Sequence, residues 1–173
     1  MEKQHHTPSQ TETIMTQVVQ PNDTNPLGNL HGGVLMYWMD ECSAISATKH
    51  SRAIVVTVSV DGVSFSNAIA LGSFVTIKSK VTRTFRSSME VFIEVWAENI
   101  PKNTKIKSNE AYYTFVALNE KGNPIAAPEI YPETEEEQRL YDGAIRRRQV
   151  RLILSGKMKV EDAAELRSLF MKD

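Results

Sequence analysis

One cysteine stands among 173 residues. A single cysteine excludes an internal disulfide framework and a cysteine-based zinc site. Charge of one sign is also lacking: 20 Lys and Arg meet 21 Asp and Glu, for a formal net charge of −1. That balance argues against a strongly cationic nucleic-acid binder. No apolar run reaches the ~20 residues that span a bilayer. The first residues lack the charged-then-apolar design of a signal peptide. The expectation is a protein of the reducing cytoplasm, with no membrane span and no nucleic-acid partner. What is present is ordinary for a globular chain, 41% hydrophobic and 24% charged. The length suits one compact domain, able to bury roughly 70% of its unfolded surface without a disulfide or metal staple.

Residues 1–11 are polar and aperiodic, which predicts a disordered tail. The adjacent His5 and His6 read there as inert rather than as metal ligands. Residues 12–20 are β-branched enough for a strand, and 21–29, with two Pro, three Asn and a Gly, for a loop of defined turns. Residues 32–48 are apolar on nearly every helical face. A helix of that kind must be buried all round, and its length would be about 25 Å. Four runs then read as strands: 53–65, 73–85, 89–99 and 109–119. In the first, Val56, Val58 and Val60 fall on one face and Thr57, Ser59 and Asp61 on the other. Period two with one polar face is the pattern of an antiparallel sheet with one wet side. Residues 85–88 are short enough for a hairpin, 101–108 form a longer basic connection, and 125–131 offer one more short strand.

From residue 133 the chain turns helical, with four Glu early and Arg146, Arg147, Arg148 and Arg151 late, the order a helix dipole favours. Gly143 costs roughly 1 kcal/mol in a helix interior and leaves continuity there open. A second helical pattern runs over 155–170. The arginines read as a solvated face rather than a phosphate site. The predicted class is α+β: a long central helix wrapped by a curved antiparallel sheet, with C-terminal surface helices.

The segment NPLGNLHGG, 25–33, enters the buried helix directly. Gly32 and Gly33 place bare backbone at a helix N-terminus, where the first N–H groups have no intrahelical partner. Such a site can hold an anion, or an ester carbonyl as it becomes an oxyanion. His31 reads equally as a turn-stabilising residue or a substrate contact. Asp40 and Glu41 are the only charges between Gly32 and Thr48. They point about 100° apart, so one can face the sheet or a cleft while the other faces elsewhere; the alternative places both at a polar subunit edge. A carboxylate in dry surroundings suits a general base or nucleophile. Asp40 lies seven residues past Gly33, about 10 Å, a wide gap for one reacting group. A second helix packed antiparallel would close it, which favours a site shared across a dimer. Cys42 points about 200° from Asp40 and reads as core packing.

The segments 23–50 and 56–77, with RSSMEVFIEVW at 86–96, resemble the hotdog-fold acyl-CoA thioesterases, and within them the acyl-CoA hydrolase subgroup that includes the brain type. Asn25, Gly28, His31, Gly32 and Gly33 followed by WMDE at 38–41 carry the likeness, which covers 12–131. The chain departs from the pattern at SNAIALGS, 66–73, where a Pro-containing stretch and Gly-Asp are expected. The resemblance implies the hotdog fold, a homodimer formed edge to edge with shared active sites, and often a trimer of dimers. It implies Asp40 acting on the thioester, Asn25 of the other protomer orienting water or substrate, and the amide near Gly33 polarising the carbonyl. It implies coenzyme phosphates meeting basic and hydroxyl groups, here Arg86, Ser87 and Ser88. The expected reaction is hydrolysis of fatty acyl-CoA to free CoA and fatty acid, with no metal and no cofactor beyond the CoA of the substrate. A non-catalytic acyl-CoA-binding regulatory module, and a thioesterase for an acyl carrier protein or an aromatic acyl-CoA, are the alternatives. The expected division is a tail at 1–11, the thioesterase domain at 12–131 and a helical extension at 132–173.

Overall fold

The structure is a computed structural model that describes residues 6–65 and 67–170. Its centre is helix α1, Gly32–Ser51. His31 caps the start in an extended conformation, with Nδ1 accepting from the Gly33 N–H. Arg52 ends it in the left-handed region at φ 54°, its N–H donating to Thr48 O. Lys49 and His50 occupy the last turn, where the dipole favours cations. Leu35, Trp38, Met39, Cys42, Ser43, Ser46, Ala47 and His50 are buried, at the spacing of one helical face.

That face rests on a five-stranded antiparallel sheet of order β1-β3-β4-β5-β2. The strands are β1, Thr13–Val18; β2, Ile54–Asp61; β3, Phe74–Thr84; β4, Ser88–Asn99; and β5, Thr104–Leu118. The core face expected of β3 and β4 holds, with Val75, Ile77, Val81, Met89, Val91, Ile93 and Val95 fully buried, but Thr82, Glu90 and Phe92, expected on the wet face, are buried as well. Small side chains let α1 approach the sheet closely. Ser46 Oγ lies 3.0 Å from Thr13 Oγ1 and 3.1 Å from Ser79 O, and the Ser79 hydroxyl donates to Cys42 O at 2.9 Å. Burial pushes the Cys42 thiol up from its ordinary value, which fits packing and not a thiolate nucleophile.

Three expectations change. Helix α1 is not buried all round, because a five-stranded sheet covers only one of its sides. Met36, Tyr37, Glu41, Ile45, Thr48 and Lys49 stay exposed. The connection 101–108 is mostly strand. Lys105 sits opposite Glu98, and Lys107 reaches Glu94 at 2.6 Å and Glu110 at 2.8 Å. The basic residues are half of cross-strand charge pairs, and only 100–103 turn. Residues 125–131 contribute one isolated bridge, Ile130 to His6, rather than a strand.

Of the expected tail, residues 1–5, with His5, lie outside the described residues. His6 bridges Ile130, Ser9–Thr11 form a short 3₁₀ turn, and the Thr11 hydroxyl accepts from Val81 N at 2.8 Å.

The chain divides into two compact units, Met1–Tyr131 and Pro132–Asp173. In the second, α2 spans Glu135–Leu154 and begins in a capping box between Thr134 and Glu137. It passes Gly143 unbroken. A Cβ there would meet Arg147 Nη1 at 2.5 Å, and Arg147 Nη2 donates to Leu140 O at 2.7 Å. The second helical pattern yields only a 3₁₀ turn, Val160–Asp162, and α3, Ala164–Arg167. Ala163 at the junction has φ −89° and ψ 66°, outside the helical region. Gln149 Oε1 accepts the Leu166 N–H at 2.8 Å.

Candidate active site

The loop before α1 is built around one side chain. Asn25 N donates to Asn29 O at 2.8 Å, and Gly28, at φ 73°, donates to Asn25 O at 2.9 Å. Asn25 Oδ1 accepts from Leu27 N at 2.9 Å and from Asn29 N at 3.3 Å. With the oxygen committed, the remaining end of the side chain is its NH₂ group, a donor only. His31 N donates to Asp23 O and Leu30 N to Ile69 O, which pins this loop to the segment after β2.

At the helix start the two glycines differ. The Gly33 N–H is taken by His31 Nδ1 at 3.0 Å, so it is not the open donor that the sequence places there. The Gly32 N–H has no hydrogen-bond partner among the described residues. The Phe65 ring lies over Gly32, and a Cβ there would sit 3.3 Å from Cζ. Of the two readings of His31, the structure shows the cap.

Asp40 and Glu41 also separate. Glu41 is exposed, while Asp40 is half-buried and its Oδ1 accepts from the Thr57 hydroxyl at 2.6 Å. Asp40 Oδ2 accepts no hydrogen bond from the described residues. Thr57 is a residue the alternation of β2 assigned to the wet face. A β-bulge between Thr57 and Ser59 breaks that alternation. Before it, Thr57 pairs with Phe115; after it, Val60 pairs with Tyr113. Tyr113 reaches Met36 of α1 and Thr57 reaches Asp40, so Thr57 and Val60 share the helix-facing side, and Ser59 and Asp61 turn away. The register break is not written in residue types, so alternation alone puts Thr57 on the wrong face. Tyr113 lies nearby: its hydroxyl donates to Met36 O at 3.4 Å, and burial, then the Asp40 charge, push it up to about 12.

The remaining predicted residues lie apart. Arg86, Ser87 and Ser88 form the β3–β4 turn, where Phe85 N donates to Ser88 O and Ala117 N to Ser87 O. This turn follows Thr84, whose hydroxyl is 2.9 Å from His50 Nε2 near the C-terminal end of α1. No hydrogen bond among the described residues joins it to Asn25, Gly32 or Asp40. Gly32 and Asp40 are themselves eight residues apart, about 12 Å along the axis. No group of three or more His, Cys, Asp or Glu suited to a metal occurs among the described residues, and no helix there is long and apolar enough to cross a membrane.

Residues 27–103 match the family described as the thioesterase superfamily. The cytosolic acyl coenzyme A thioester hydrolase of Rattus norvegicus is 34% identical over 139 residues, which is 79% of this chain and 36% of that protein. The chain therefore spans about a third of that relative. The uncharacterized acyl-CoA thioester hydrolase YkhA of Bacillus subtilis is 38% identical over 138 residues, 80% of each chain. Among solved structures, an apo-hexameric acyl-CoA thioesterase superposes with a TM-score of 0.84 at 37% identity, covering 88% of this chain and 97% of its own. An acyl-CoA hydrolase from Staphylococcus aureus, in complex with butyryl coenzyme A, coenzyme A and coenzyme A disulfide, superposes at 0.80 with 35% identity, covering 88% and 95%. Alanine variants of the Staphylococcus aureus enzyme at one aspartate, one threonine and one asparagine also match.

Proposed function

The chain belongs to the thioesterase superfamily and has its hotdog fold, and from that premise we propose that it hydrolyses fatty acyl-CoA to free CoA and a fatty acid. The observation that carries the reading is the 2.6 Å hydrogen bond from Thr57 to Asp40. It fixes one carboxylate oxygen and leaves the other open at the exposed side of α1. In this reading Asp40 acts as general base on a water held with Thr57, or attacks the thioester carbon directly. On either route the carbonyl carbon gains an oxygen, the C–S bond breaks, and a proton ends on the CoA thiol. Asn25 Nδ2 and the Gly32 N–H are the open donors for the thioester oxygen as it takes up charge, an effect of about 3 kcal/mol per donor. This moves the backbone role from Gly33 to Gly32 and gives Asn25 a donor's part.

The donors and the acid meet only if they come from two protomers, given the 12 Å spacing along one helix. The sheet edge supports this. Strand β2 lies at the edge and exposes Ile54, Val56 and Val58, and an apolar free edge is a template for a second strand. We assign it to an edge-to-edge homodimer, with a trimer of dimers as the higher form, supported by the hexameric relative. Arg86, Ser87 and Ser88 would reach coenzyme phosphates only from a neighbouring protomer. The domain assignment follows: 12–131 as thioesterase, 132–173 as a helical extension. The rat relative, a cytosolic acyl coenzyme A thioester hydrolase, supports a cytosolic setting.

The test is release of free thiol from palmitoyl-CoA, followed with a thiol-trapping dye. Turnover is expected. Tight binding of palmitoyl-CoA with no thiol release would instead identify a binding module.

A further inference from the structure

Tyr113 stands buried on the helix-facing side of β5, its ring stacked near that of Phe115 with centroids 6.4 Å apart and planes at 18°. Packing of this kind needs no hydroxyl, and a phenylalanine would fill the same space. Burying a hydroxyl costs free energy unless it is well bonded. Its one hydrogen-bond partner among the described residues is Met36 O, at 3.4 Å. That is long beside the usual O–H···O length of about 2.7–2.8 Å, so the bond contributes little to stability.

The place of the bond gives it a use. In an α-helix the carbonyl of residue 36 accepts the N–H of residue 40. A carbonyl oxygen has two lone pairs, so Met36 O can take the Asp40 N–H and the Tyr113 hydroxyl together. The phenol thus touches the turn that carries the acid. It is near enough to Asp40 for the carboxylate charge to resist its ionisation, and at about 12 it stays a neutral donor. The backbone of Tyr113 serves the other half of the pair. Tyr113 lies opposite Val60, Phe115 lies opposite Thr57, and the β2 bulge falls between them. That bulge is what turns Thr57 to its 2.6 Å bond with Asp40.

We propose that Tyr113 is a positioning residue for hydrolysis: its hydroxyl, on Met36 O, holds the turn of α1 that carries Asp40, and its backbone holds the far side of the bulge that delivers Thr57. The proposal rests on the reading of Asp40 and Thr57 as the hydrolytic pair. A misplacement of about 1 Å at a reacting group can cost about 10²-fold in rate. A bond too weak to matter for folding can therefore matter for turnover, and the two effects separate on measurement.

The experiment is Tyr113→Phe in the full chain, assayed on palmitoyl-CoA, with the oligomeric state checked by light scattering. The variant keeps the ring, its stack and the backbone pairing. Its kcat should fall about 5-fold, the worth of one hydrogen bond, with KM within about twofold and Tm within about a degree of the wild type. In the Asp40→Asn background the same change should be silent, because no carboxylate remains to be placed. Hydrogen exchange read by mass spectrometry reports without turnover. Peptides covering 36–43 should exchange about 5-fold faster in Tyr113→Phe, and those covering 44–51 should be unchanged. Wild-type kcat in Tyr113→Phe, or an undiminished loss in the Asp40→Asn background, overturns the positioning role and leaves the hydrolase reading in place. A fall in kcat matched by a Tm lower by several degrees overturns it too, since the hydroxyl then serves the fold. If the wild-type chain releases no thiol, the hydrolytic reading falls and exchange alone decides. Faster exchange confined to 36–43 then keeps Tyr113 as the holder of that turn, and unchanged exchange removes it.

Discussion

The two sides of α1 use their polar atoms differently. On the side that rests on the sheet, Ser46 and Ser79 meet each other, a strand hydroxyl and backbone carbonyls, within 2.8–3.1 Å. Ser43 donates to Met39 O one turn back. Those contacts are what a buried polar group needs to avoid a desolvation penalty. On the other side, capacity is left over: the second oxygen of Asp40 and the N–H of Gly32 at the helix start, with the NH₂ of Asn25 in the loop that precedes it. Unspent hydrogen-bonding capacity next to solvent costs little in stability and is what a ligand can use. One helix therefore separates a structural face from a chemical one, at a boundary marked by the Asp40–Thr57 bond.

Substitutions can break that contrast, and the largest effect belongs on the open side. Asp40→Asn should lower kcat for acyl-CoA by about 10³-fold with little change in Tm; wild-type turnover by the folded variant removes the assignment. Thr57→Val should cost about 10- to 100-fold in kcat, the worth of a hydrogen bond to a charged group, and Thr57→Ser should restore most of it. On the packed side the sign reverses. Ser46→Ala should cost about 1–2 kcal/mol, read as a fall in Tm of a few degrees, and leave kcat near the wild-type value. A kcat loss larger than the Tm loss would show that the two sides are not separate.

The smallest effect concerns His50, the last buried residue of the packed side. Its Nε2 lies 2.8 Å from Pro128 O, which can only accept, so Nε2 carries the proton. Its Nδ1 is buried without a partner. Burial holds the ring below its ordinary value of 6.5. The neutral ring therefore contributes stability that is complete above about pH 6.5 and lost as the pH falls through the lowered folded value. Melting curves between pH 7.5 and 5 should show a decline that is shallower in His50→Gln; parallel declines would clear His50 of any part.

The sequence made the packed side legible and the open side less so. Alternation placed Val75, Ile77, Met89, Val91, Ile93 and Val95 correctly because burial leaves a periodic mark on residue type. The same rule misplaced Thr57, since one extra residue at a bulge shifts the phase without changing composition. Gly32 and Gly33 are both bare backbone in sequence, and only the His31 ring shows that the Gly33 N–H is taken. The uniform apolarity of 32–48 predicts burial by the chain's own sheet. It describes equally a helix whose second side awaits another surface, and a single chain's pattern does not distinguish the two. Lys105 and Lys107 read as loop because Glu98 and Glu94, which pair with them, sit on the neighbouring strand.

Asn25 is followed by Pro26, and this has a bearing on how the protein ages. Asparagine decays when the nitrogen of the next residue attacks the side-chain carbonyl, expelling ammonia through a cyclic imide. Proline offers no N–H for that attack. The imide reopens to aspartate or isoaspartate, and with either product the NH₂ donor is lost. A proline at 26 closes the route, and keeps a chemically fragile amide intact for the lifetime of the fold.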